Sequence, residues 1–148
     1  MAHASRLRKG RHSEPGRIYL ITVVTWKRLP HFTDFAAARL LVKTLQDVEP
    51  SASTLCYVVM PDHLHWLMQL APGTDLSVTV RLVKALGTKR IKACRPTPGK
   101  LWQHGFHDHA LRREEDVRAL ARYVIANPLR AGLARSVREY SHWDACWL

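Results

Sequence analysis

The stretch "TLCYVVMPDHLHWLMQL", Thr54 to Leu70, decides the fold of this chain. Both halves are rich in β-branched and aromatic residues, which favour strands. Pro61 and Asp62 between them have the chemistry of a turn. The stretch therefore predicts an antiparallel hairpin of two strands.

The second strand of this hairpin divides its side chains between two faces, because successive residues in a strand point in opposite directions. One set is wholly apolar and is expected to face the core: Leu64, Trp66, Met68 and Leu70. His63 and His65 belong to the other set, so we expect them on the face away from this core, with Cα atoms roughly 6.5 Å apart.

Two imidazoles at this spacing can reach one metal ion. Imidazole suits manganese, zinc, iron or nickel, and magnesium becomes possible when a carboxylate or amide oxygen completes the set. A histidine in a strand is more often structural, however, so the spacing of His63 and His65 alone leaves the two interpretations open.

The remaining segments extend the hairpin to an α+β domain. A strand is predicted over 17–26, a helix after Asp34, a helix from Leu76 to about Arg95 capped by Thr74 or Asp75, a short extended piece over 101–112, and a helix over 114–126. This order matches a ferredoxin-like (RRM-like) antiparallel sheet with helices packed on one face and an added C-terminal helix carrying Tyr123. We divide the chain into a basic N-terminal arm (1–17), one domain (18–135) and a C-terminal tail (136–148).

Composition narrows the class of partner. The 148 residues include 23 Lys and Arg against 12 Asp and Glu, a formal net charge of +11. Such an excess favours a polyanion, with nucleic acid ahead of a membrane surface. No apolar run approaches the roughly 20 residues that span a bilayer, so we expect a cytoplasmic protein that does not enter the membrane. The three cysteines are scattered without a C-x-x-C pair, which predicts reduced thiols.

The last predicted helix presents a tyrosine outside its buried stripe. At 100° per residue, the apolar stripe consists of Val117, Leu120, Ala121 and Val124. Tyr123 and Asn127 are four apart on one flank, where both could face a cleft. The alternative is a half-buried tyrosine, with Asn127 ending the helix before Pro128.

The combination of these features points to a reaction. A metal held by a His-x-His pair beside a tyrosine, on a very basic chain, can break a phosphodiester bond through a covalent intermediate. The phenolate would attack phosphorus and release a 3′-hydroxyl. The phosphotyrosine link would conserve the bond energy, so rejoining would need no ATP.

Three segments together resemble a known family. "MPDHLHWLMQL", "LWQHGFHDHALR" and "ARYVIANPLRAGL" are similar to the single-tyrosine HUH transposases and, within them, to the REP-associated tyrosine transposases. In that family an apolar residue between two histidines names the motif, here Leu64. The resemblance runs from about residue 16 to residue 133.

This resemblance implies a set of roles. His63 and His65 would be metal ligands, Tyr123 the nucleophile, and Asn127 a third ligand or a phosphate-orienting group, where related insertion-sequence transposases have glutamine. The metal would be Mg2+ or Mn2+, and the substrate single-stranded DNA carrying a hairpin, such as bacterial palindromic repeats. A monomer acting in cis is favoured, and a homodimer is possible.

Basic side chains supply candidate DNA contacts. On the helix from Leu76, Arg81, Lys84, Lys92 and Arg95 form one stripe, with Arg90 as an exception. The arm supplies five more cations: Arg6, Arg8, Lys9, Arg11 and Arg17. A basic run is often only a solvated face, so phosphate contact remains an expectation.

Aromatic and imidazole planes over 101–112 are a further group of candidates. Trp102, His104, His107 and His109 could stack on unpaired bases, although Trp102 is better explained as core. His107 and His109 repeat the His-x-His spacing, and a second metal site there is the weaker interpretation.

The leading hypothesis is therefore a metal-dependent DNA transesterase that cuts and rejoins single strands. The alternative is a non-catalytic nucleic-acid-binding module on the same sheet. A zinc hydrolase is remote, because the chain lacks H-E-x-x-H and any H-x-H-x-D-H continuation.

Overall fold

The structure of the protein is a computed structural model that describes residues 16–112 and 115–147. Arg6, Arg8, Lys9 and Arg11 of the predicted arm lie outside the described residues. Five strands form one antiparallel sheet: β1 (Ile18–Val24), β2 (Ala52–Met60), β3 (His63–Leu70), β4 (His107–Ala110) and β5 (Trp143–Ala145). Their order across the sheet is β4-β1-β3-β2-β5.

Four α-helices connect or flank these strands: α1 (Phe35–Asp47), α2 (Leu76–Cys94), α3 (Val117–Ile125) and α4 (Asn127–Arg130). Short 3-10 helices occupy Trp26–Arg28, His31–Thr33 and Val137–Glu139. Among the described residues, no helix combines the length and the apolar character that crossing a bilayer requires. The predicted α+β class and antiparallel sheet are confirmed.

The predicted hairpin is formed by β2 and β3. Met60 pairs with His63, so that only Pro61 and Asp62 make the turn, and Ala52 pairs with Leu70 at the far end. A register shift between Thr54 and Cys56 interrupts the ladder.

The strand β1 lies in the interior of the sheet between β3 and β4. Val24 pairs with His63, and Thr22 pairs with both His65 and His107. Because directly opposed residues in an antiparallel pair share a face, Thr22, His65 and His107 lie in one row on the same side of the sheet.

The first core lies under α1 and α2. Leu64, Trp66, Met68 and Leu70 are all buried there, as the alternating pattern predicted. Gly87 of α2 is buried against Leu41 of α1, and a Cβ at this position would lie in ordinary contact at 3.6 Å from Cδ1 of Leu41.

Charged groups join α1 to α2. Arg90, which the basic stripe left unexplained, places Nη2 2.7 Å from Oδ2 of Asp47 and Nη1 3.0 Å from Oγ1 of Thr44. Arg95 places Nη1 3.3 Å from Oδ2 of Asp34. These pairs fix the two helices relative to one another.

The two helix starts differ. The carboxylate of Asp75 accepts a hydrogen bond from the backbone N–H of Val78 at 3.0 Å, as a capping residue does. The side chain of Asp34 makes no capping bond at the start of α1, because it pairs with Arg95 instead. Near the end of α2, Ile91 is buried and Cys94 is exposed.

The face that carries the histidines has a core of its own. α3 buries Ala121 and Val124 against this face, where Leu67 and Met60 are also buried. The sequence pattern treated this face as lying outside the core, but β2 presents apolar residues to both sides of the sheet. Helices therefore cover both faces, with α3 as the added helix on the second face.

The segment 136–148, which the sequence predicts as a tail, contributes a strand. Trp143 in β5 pairs with Val58 in β2, and Ala145 pairs with Cys56. The hydroxyl of Tyr140 donates to the carbonyl of Val59 at 2.5 Å. β5 thus completes one edge of the sheet, while the division of the chain at residue 135 stays a prediction.

Candidate active site

His63 and His65 lie side by side at the end of the sheet. Both belong to β3 and point to the same face, as predicted from their spacing. Their ring centroids are 4.7 Å apart, and the rings are nearly perpendicular at 81°. Two imidazoles in this arrangement can direct nitrogen lone pairs towards one point.

Each imidazole is held by a partner at Nδ1. Nδ1 of His63 lies 2.7 Å from Oδ1 of Asp62, and Nδ1 of His65 lies 3.0 Å from Oγ1 of Thr22. Asp62 is itself held by Nη1 of Arg28 at 3.2 Å. A metal-binding histidine characteristically engages a carboxylate or another polar group through the nitrogen that does not touch the metal. The arrangement leaves Nε2 of both rings available to bind a cation.

Electrostatics keep His65 neutral. Burial, followed by the charges of His63 and Arg130, lowers the pKa of His65 to about 4. A neutral imidazole is the form that binds a metal. For Asp62, burial acts to raise the pKa of the carboxyl, but hydrogen bonds from His63 and Arg28 outweigh it and lower the pKa overall. Asp62 is therefore a carboxylate and a strong acceptor beside His63.

Asn127 reaches the histidine pair from α4, the helix that follows the one carrying Tyr123. α3 ends at Ile125, and Asn127 begins the four-residue helix α4 with Pro128 in its first turn. Nδ2 of Asn127 lies 3.5 Å from Nε2 of His63. Because the oxygen and nitrogen of an amide exchange places by rotation, the same position can present Oδ1 to a cation. The predicted juxtaposition of Asn127 with the histidines is present.

Tyr123 and Asn127 lie on either side of the boundary between α3 and α4. They do not share one helix, because Ala126 ends α3 and precedes α4. Tyr123 is 62% exposed, so the half-buried alternative does not describe it. The phenol is accessible to a macromolecular substrate.

Arg130 is a neighbour of Tyr123 that the sequence analysis did not identify. Its guanidinium carbon lies 3.8 Å from the centroid of the Tyr123 ring. The same charge acts on His65. Within the described part of the chain the guanidinium has no hydrogen bond or ion pair. A cation without a counterion thus lies beside the phenol and within electrostatic reach of the histidines.

The donor set fits a divalent cation held by two imidazoles and one amide oxygen. Among residues 16–112 and 115–147, no group of three or more His, Cys, Asp and Glu residues is arranged to hold a metal. The amide nearest to the two imidazoles is Asn127, 3.5 Å from Nε2 of His63, so it is the candidate for a third ligand. Two imidazoles with an oxygen donor suit Mn2+, and an oxygen-rich remainder made of water and phosphate suits Mg2+.

Most of the predicted basic stripe on α2 makes contacts within the protein. Nζ of Lys84 donates to the carbonyls of Gln103 at 2.7 Å and Gly105 at 2.9 Å. Lys92 donates to the carbonyl of Gly99, and Arg95 pairs with Asp34. Arg81 is exposed, and Arg17 is half-buried at the start of β1. DNA contact by these five residues stays a prediction.

The histidine-rich strand β4 lies at the sheet edge. His107 and His109 are exposed, and Nε2 of His109 lies 3.0 Å from Oε2 of Glu115. Trp102 is buried in the first core, as expected of a structural tryptophan. This strand shows no second metal cluster of three or more such ligands among the described residues.

Three supporting residues were missed, for different reasons. Asp62 directly precedes His63, so the sequence does show a carboxylate next to a histidine. Its position in a turn did not by itself indicate that it contacts the imidazole. Thr22 becomes a partner of His65 through strand pairing, which no local pattern encodes. Arg130 lies seven residues after Tyr123, beyond the predicted end of the helix at residue 126, so the predicted helix did not include it.

The chain is similar to known transposases. The family model "Transposase IS200 like" matches residues 18–127. A Haemophilus influenzae protein named as a REP-associated tyrosine transposase is 26% identical over 139 residues, which cover 86% of this chain and 78% of that protein. A REP-associated tyrosine transposase of Escherichia coli K12 is 28% identical over 90 residues, covering 57% of this chain and 48% of the relative.

Solved structures show the same fold. The structure of a REP-associated tyrosine transposase bound to a REP hairpin superposes with a TM-score of 0.75 at 25% identity, covering 90% of this chain and 79% of that one. A transposase structure from Deinococcus radiodurans has a TM-score of 0.59 at 24% identity, covering 80% and 95% respectively. Because the family model spans both histidines, Tyr123 and Asn127, the chain belongs to the IS200-like transposases, which are HUH-type enzymes.

Proposed function

We propose that this transposase is a metal-dependent single-stranded DNA endonuclease that cuts and rejoins DNA at hairpin sequences of the REP type, through a 5′-phosphotyrosine on Tyr123. The observation that carries the proposal is the meeting of β3, α3 and α4. β3 supplies His63 and His65, and α3 supplies Tyr123. α4 brings Asn127 to 3.5 Å from His63 and places Arg130 on the ring of Tyr123.

The protein groups that would hold the cation are Nε2 of His63, Nε2 of His65 and the side chain of Asn127. When bound, Mg2+ or Mn2+ supplies charge that polarises the scissile phosphate and neutralises the oxygen that leaves. Asp62 and Thr22 contribute by fixing the two rings, so that the ligand atoms do not have to be ordered at each turnover.

The covalent step is a transesterification at phosphorus. The Tyr123 oxygen loses its proton to solvent and attacks the phosphorus, forming a bond from tyrosine oxygen to phosphorus while the bond from phosphorus to O3′ breaks. The O3′ leaving group takes up a proton and becomes a 3′-hydroxyl. Attack by a 3′-hydroxyl on the phosphotyrosine reverses the step and rejoins a strand, with no net change in the number of phosphodiester bonds.

Arg130 has a place in this scheme. Its guanidinium lies on the Tyr123 ring and lacks a counterion in the described part of the chain. A guanidinium can bind two oxygens of a phosphate while it stacks on an aromatic ring. We assign it to binding a non-bridging oxygen of the scissile phosphate as Tyr123 approaches.

A DNA hairpin is supported as the substrate by charge and by similarity. The formal charge of +11 favours a polyanion. A relative of the same fold was solved in complex with a REP hairpin. The exposed phenol suits a flexible single strand next to such a hairpin. We expect a monomer that uses its own histidines with its own tyrosine, since α3, α4 and β3 of one chain form the site.

A covalent-adduct assay tests the proposal. The protein is incubated with a hairpin oligonucleotide that carries a single-stranded extension and a label on the 3′ side, in Mn2+, and is then denatured. The wild type should retain label as a slower band on a denaturing gel, and Tyr123→Phe should not. Tyr140→Phe is a matched control, because Tyr140 lies on the same sheet face but is held by Val59. Absence of any adduct with either metal would leave only a non-catalytic DNA-binding module.

A further inference from the structure

A second concave surface lies outside the histidine and tyrosine site. It is a cleft of about 630 Å³ between the outer face of α2 and the segment that leads into β4. Trp102 and Phe106, which line it, belong to the first core, so the cleft is on the side of the sheet that α1 and α2 cover. Its volume falls within the range of about 300–1,000 Å³ that is typical of small-ligand sites.

One wall of this cleft is a row of α2 residues spaced four apart. Arg81, Ala85 and Lys89 follow one another on the same side of the helix, and all three are exposed. Ala85 has only a methyl side chain, so the middle of this wall projects less than its two ends. Arg81 and Lys89 rise on either side of it, about 12 Å apart along the helix axis at 1.5 Å per residue.

The opposite wall is apolar and held in place. Trp102 and Phe106 are buried to at least nine tenths and provide an aromatic base to the cleft, with exposed His104 at the rim. The ammonium group of Lys84 fastens this wall to α2 through the carbonyls of Gln103 and Gly105. The wall also contains an unsatisfied donor, since the indole N–H of Trp102 has no acceptor among the described residues.

The charge of the cleft selects its occupant. Arg81, Lys84 and Lys89 line it, and no Asp or Glu is among the described residues that do so. Arg81 and Lys89 have no hydrogen bond or ion pair within the described part of the chain. An apolar interior between two cations matches a flat nucleobase with phosphates on either side, as an unpaired strand presents them.

The segment that lines the cleft is anchored to β1. The backbone N–H of Gln103 donates to the carbonyl of Val24 at 2.9 Å, and Val24 is the strand partner of His63. The cleft and the histidines lie on opposite faces of the sheet, so the cleft is a separate surface.

We propose that the cleft between Arg81, Lys89 and the segment 101–106 binds one unpaired nucleotide of a DNA single strand, as an anchoring site separate from the cleavage site. The inference rests on the proposed function only in taking DNA as the partner. It requires neither a metal nor Tyr123.

The test measures binding of a labelled, unstructured single-stranded oligonucleotide by fluorescence anisotropy, in EDTA, over a series of salt concentrations. The variants are Arg81→Ala with Lys89→Ala, and Ala85→Glu, which adds a carboxylate to the wall. All three positions are exposed, so folding is not at risk. Arg138→Ala is the control, because Arg138 is exposed near β5 at the opposite edge of the sheet.

We expect the double variant to bind more weakly and to reduce the slope of log K against log salt by about 1.4, since each lost phosphate contact on a single strand contributes about 0.7. Ala85→Glu should weaken binding further than Arg138→Ala. If the double variant still binds DNA and its salt slope is unchanged, the proposal that the cleft binds DNA is wrong. Failure of the wild type to bind DNA would overturn the proposed function as well.

A photocrosslink provides an independent measurement. The same oligonucleotide with 5-bromodeoxyuridine in place of thymidine should attach to the tryptic peptide from Leu101 to Arg112, within residues 102–106. Adducts confined to other peptides would contradict the assignment. The crosslink does not depend on His104 alone, because Trp102 and Phe106 also line the cleft.

Discussion

The guanidinium carbon of Arg130 lies 3.8 Å from the centroid of the Tyr123 ring, and the short helix that carries it also carries Asn127, 3.5 Å from His63. One four-residue helix therefore contacts Tyr123 with its last residue and His63 with its first. Asn127 and Arg130 follow Tyr123 by four and seven residues, and at 100° per residue both positions return to the same side as Tyr123, because Ala126 between the two helices keeps helical backbone angles.

Replacing Arg130 should slow cleavage more than it weakens DNA binding. Arg130→Ala removes the cation beside the phenol, and we expect a fall in the single-turnover cleavage rate of about 100-fold, the lower end of the range for losing a group that stabilises transition-state charge. Arg130→Lys should recover part of the rate, since a lysine keeps the charge but not the planar fork.

The matched control for this change is Arg122→Ala, which removes an arginine from α3 next to Tyr123 in sequence. It should leave the cleavage rate of bound DNA within about twofold, because position 122 is rotated about 100° from Tyr123 on the helix. Equal losses in the two variants would show that only general charge matters. The rates are measured at saturating protein, so that differences in affinity do not contribute.

Removing the carboxylate behind His63 should weaken metal binding. Asp62→Ala takes away the partner of Nδ1, and changes of this kind commonly cost about 10- to 100-fold in metal affinity. Mn2+ binding is measured by electron paramagnetic resonance of the free ion during titration. Asp144→Ala, at an exposed position on β5, should bind Mn2+ as the wild type does. Identical affinities in all three proteins would remove Asp62 from the metal site.

Local patterns predicted the elements that form one face of the site. The alternation of Leu64, Trp66 and Met68 with the histidines identified both the strand and the shared face of His63 and His65. Turn chemistry at Pro61 placed the hairpin, and the apolar stripe of Val117, Ala121 and Val124 placed the last long helix. These features depend on the period of the backbone, which the sequence displays directly.

Other features depended on tertiary structure. Asp34 could either cap the first turn of α1 or pair with Arg95, and in the structure it pairs with Arg95. The strand β5 is three residues long and is stabilised by its position beside β2, so no pattern of its own announces it. The second core was hidden because β2 is apolar on both faces, which is equally compatible with one covering layer or two.

The two histidines should be required for cleavage and largely dispensable for hairpin binding. His63→Ala or His65→Ala removes a metal ligand, while affinity for the hairpin rests on phosphate contacts distributed over the basic surface. We expect no detectable adduct and a hairpin dissociation constant within about threefold of the wild type, the scale of one lost contact.

Cleavage is followed on denaturing gels and binding by anisotropy in EDTA. Asp144→Ala, at an exposed position on β5 outside this site, should keep the cleavage activity that the other two variants lose. Parallel loss of cleavage and binding in the His63 and His65 variants would contradict a separate metal role, and would indicate that the rings contact DNA themselves.

Lys84 should prove to be a stability residue. Its ammonium group donates to the carbonyls of Gln103 and Gly105, so Lys84→Met keeps the length of the side chain but deprives both carbonyls of a charged donor. Hydrogen bonds to a charged group contribute about 1.5–3 kcal/mol, and water can replace part of this at a half-buried position, so we expect a loss of about 1–2 kcal/mol in the free energy of unfolding.

Urea denaturation followed by tryptophan fluorescence measures this difference. Lys43→Met is the matched control, because Nζ of Lys43 makes an exposed pair with Asp47 one turn along α1 at 3.3 Å. Such pairs contribute only about 0.3–0.5 kcal/mol. The contrary result would be that Lys84→Met unfolds at the same urea concentration as Lys43→Met but loses salt-dependent DNA affinity. Lys84 would then contact phosphate, as the basic stripe predicted, and would not hold the wall of the cleft.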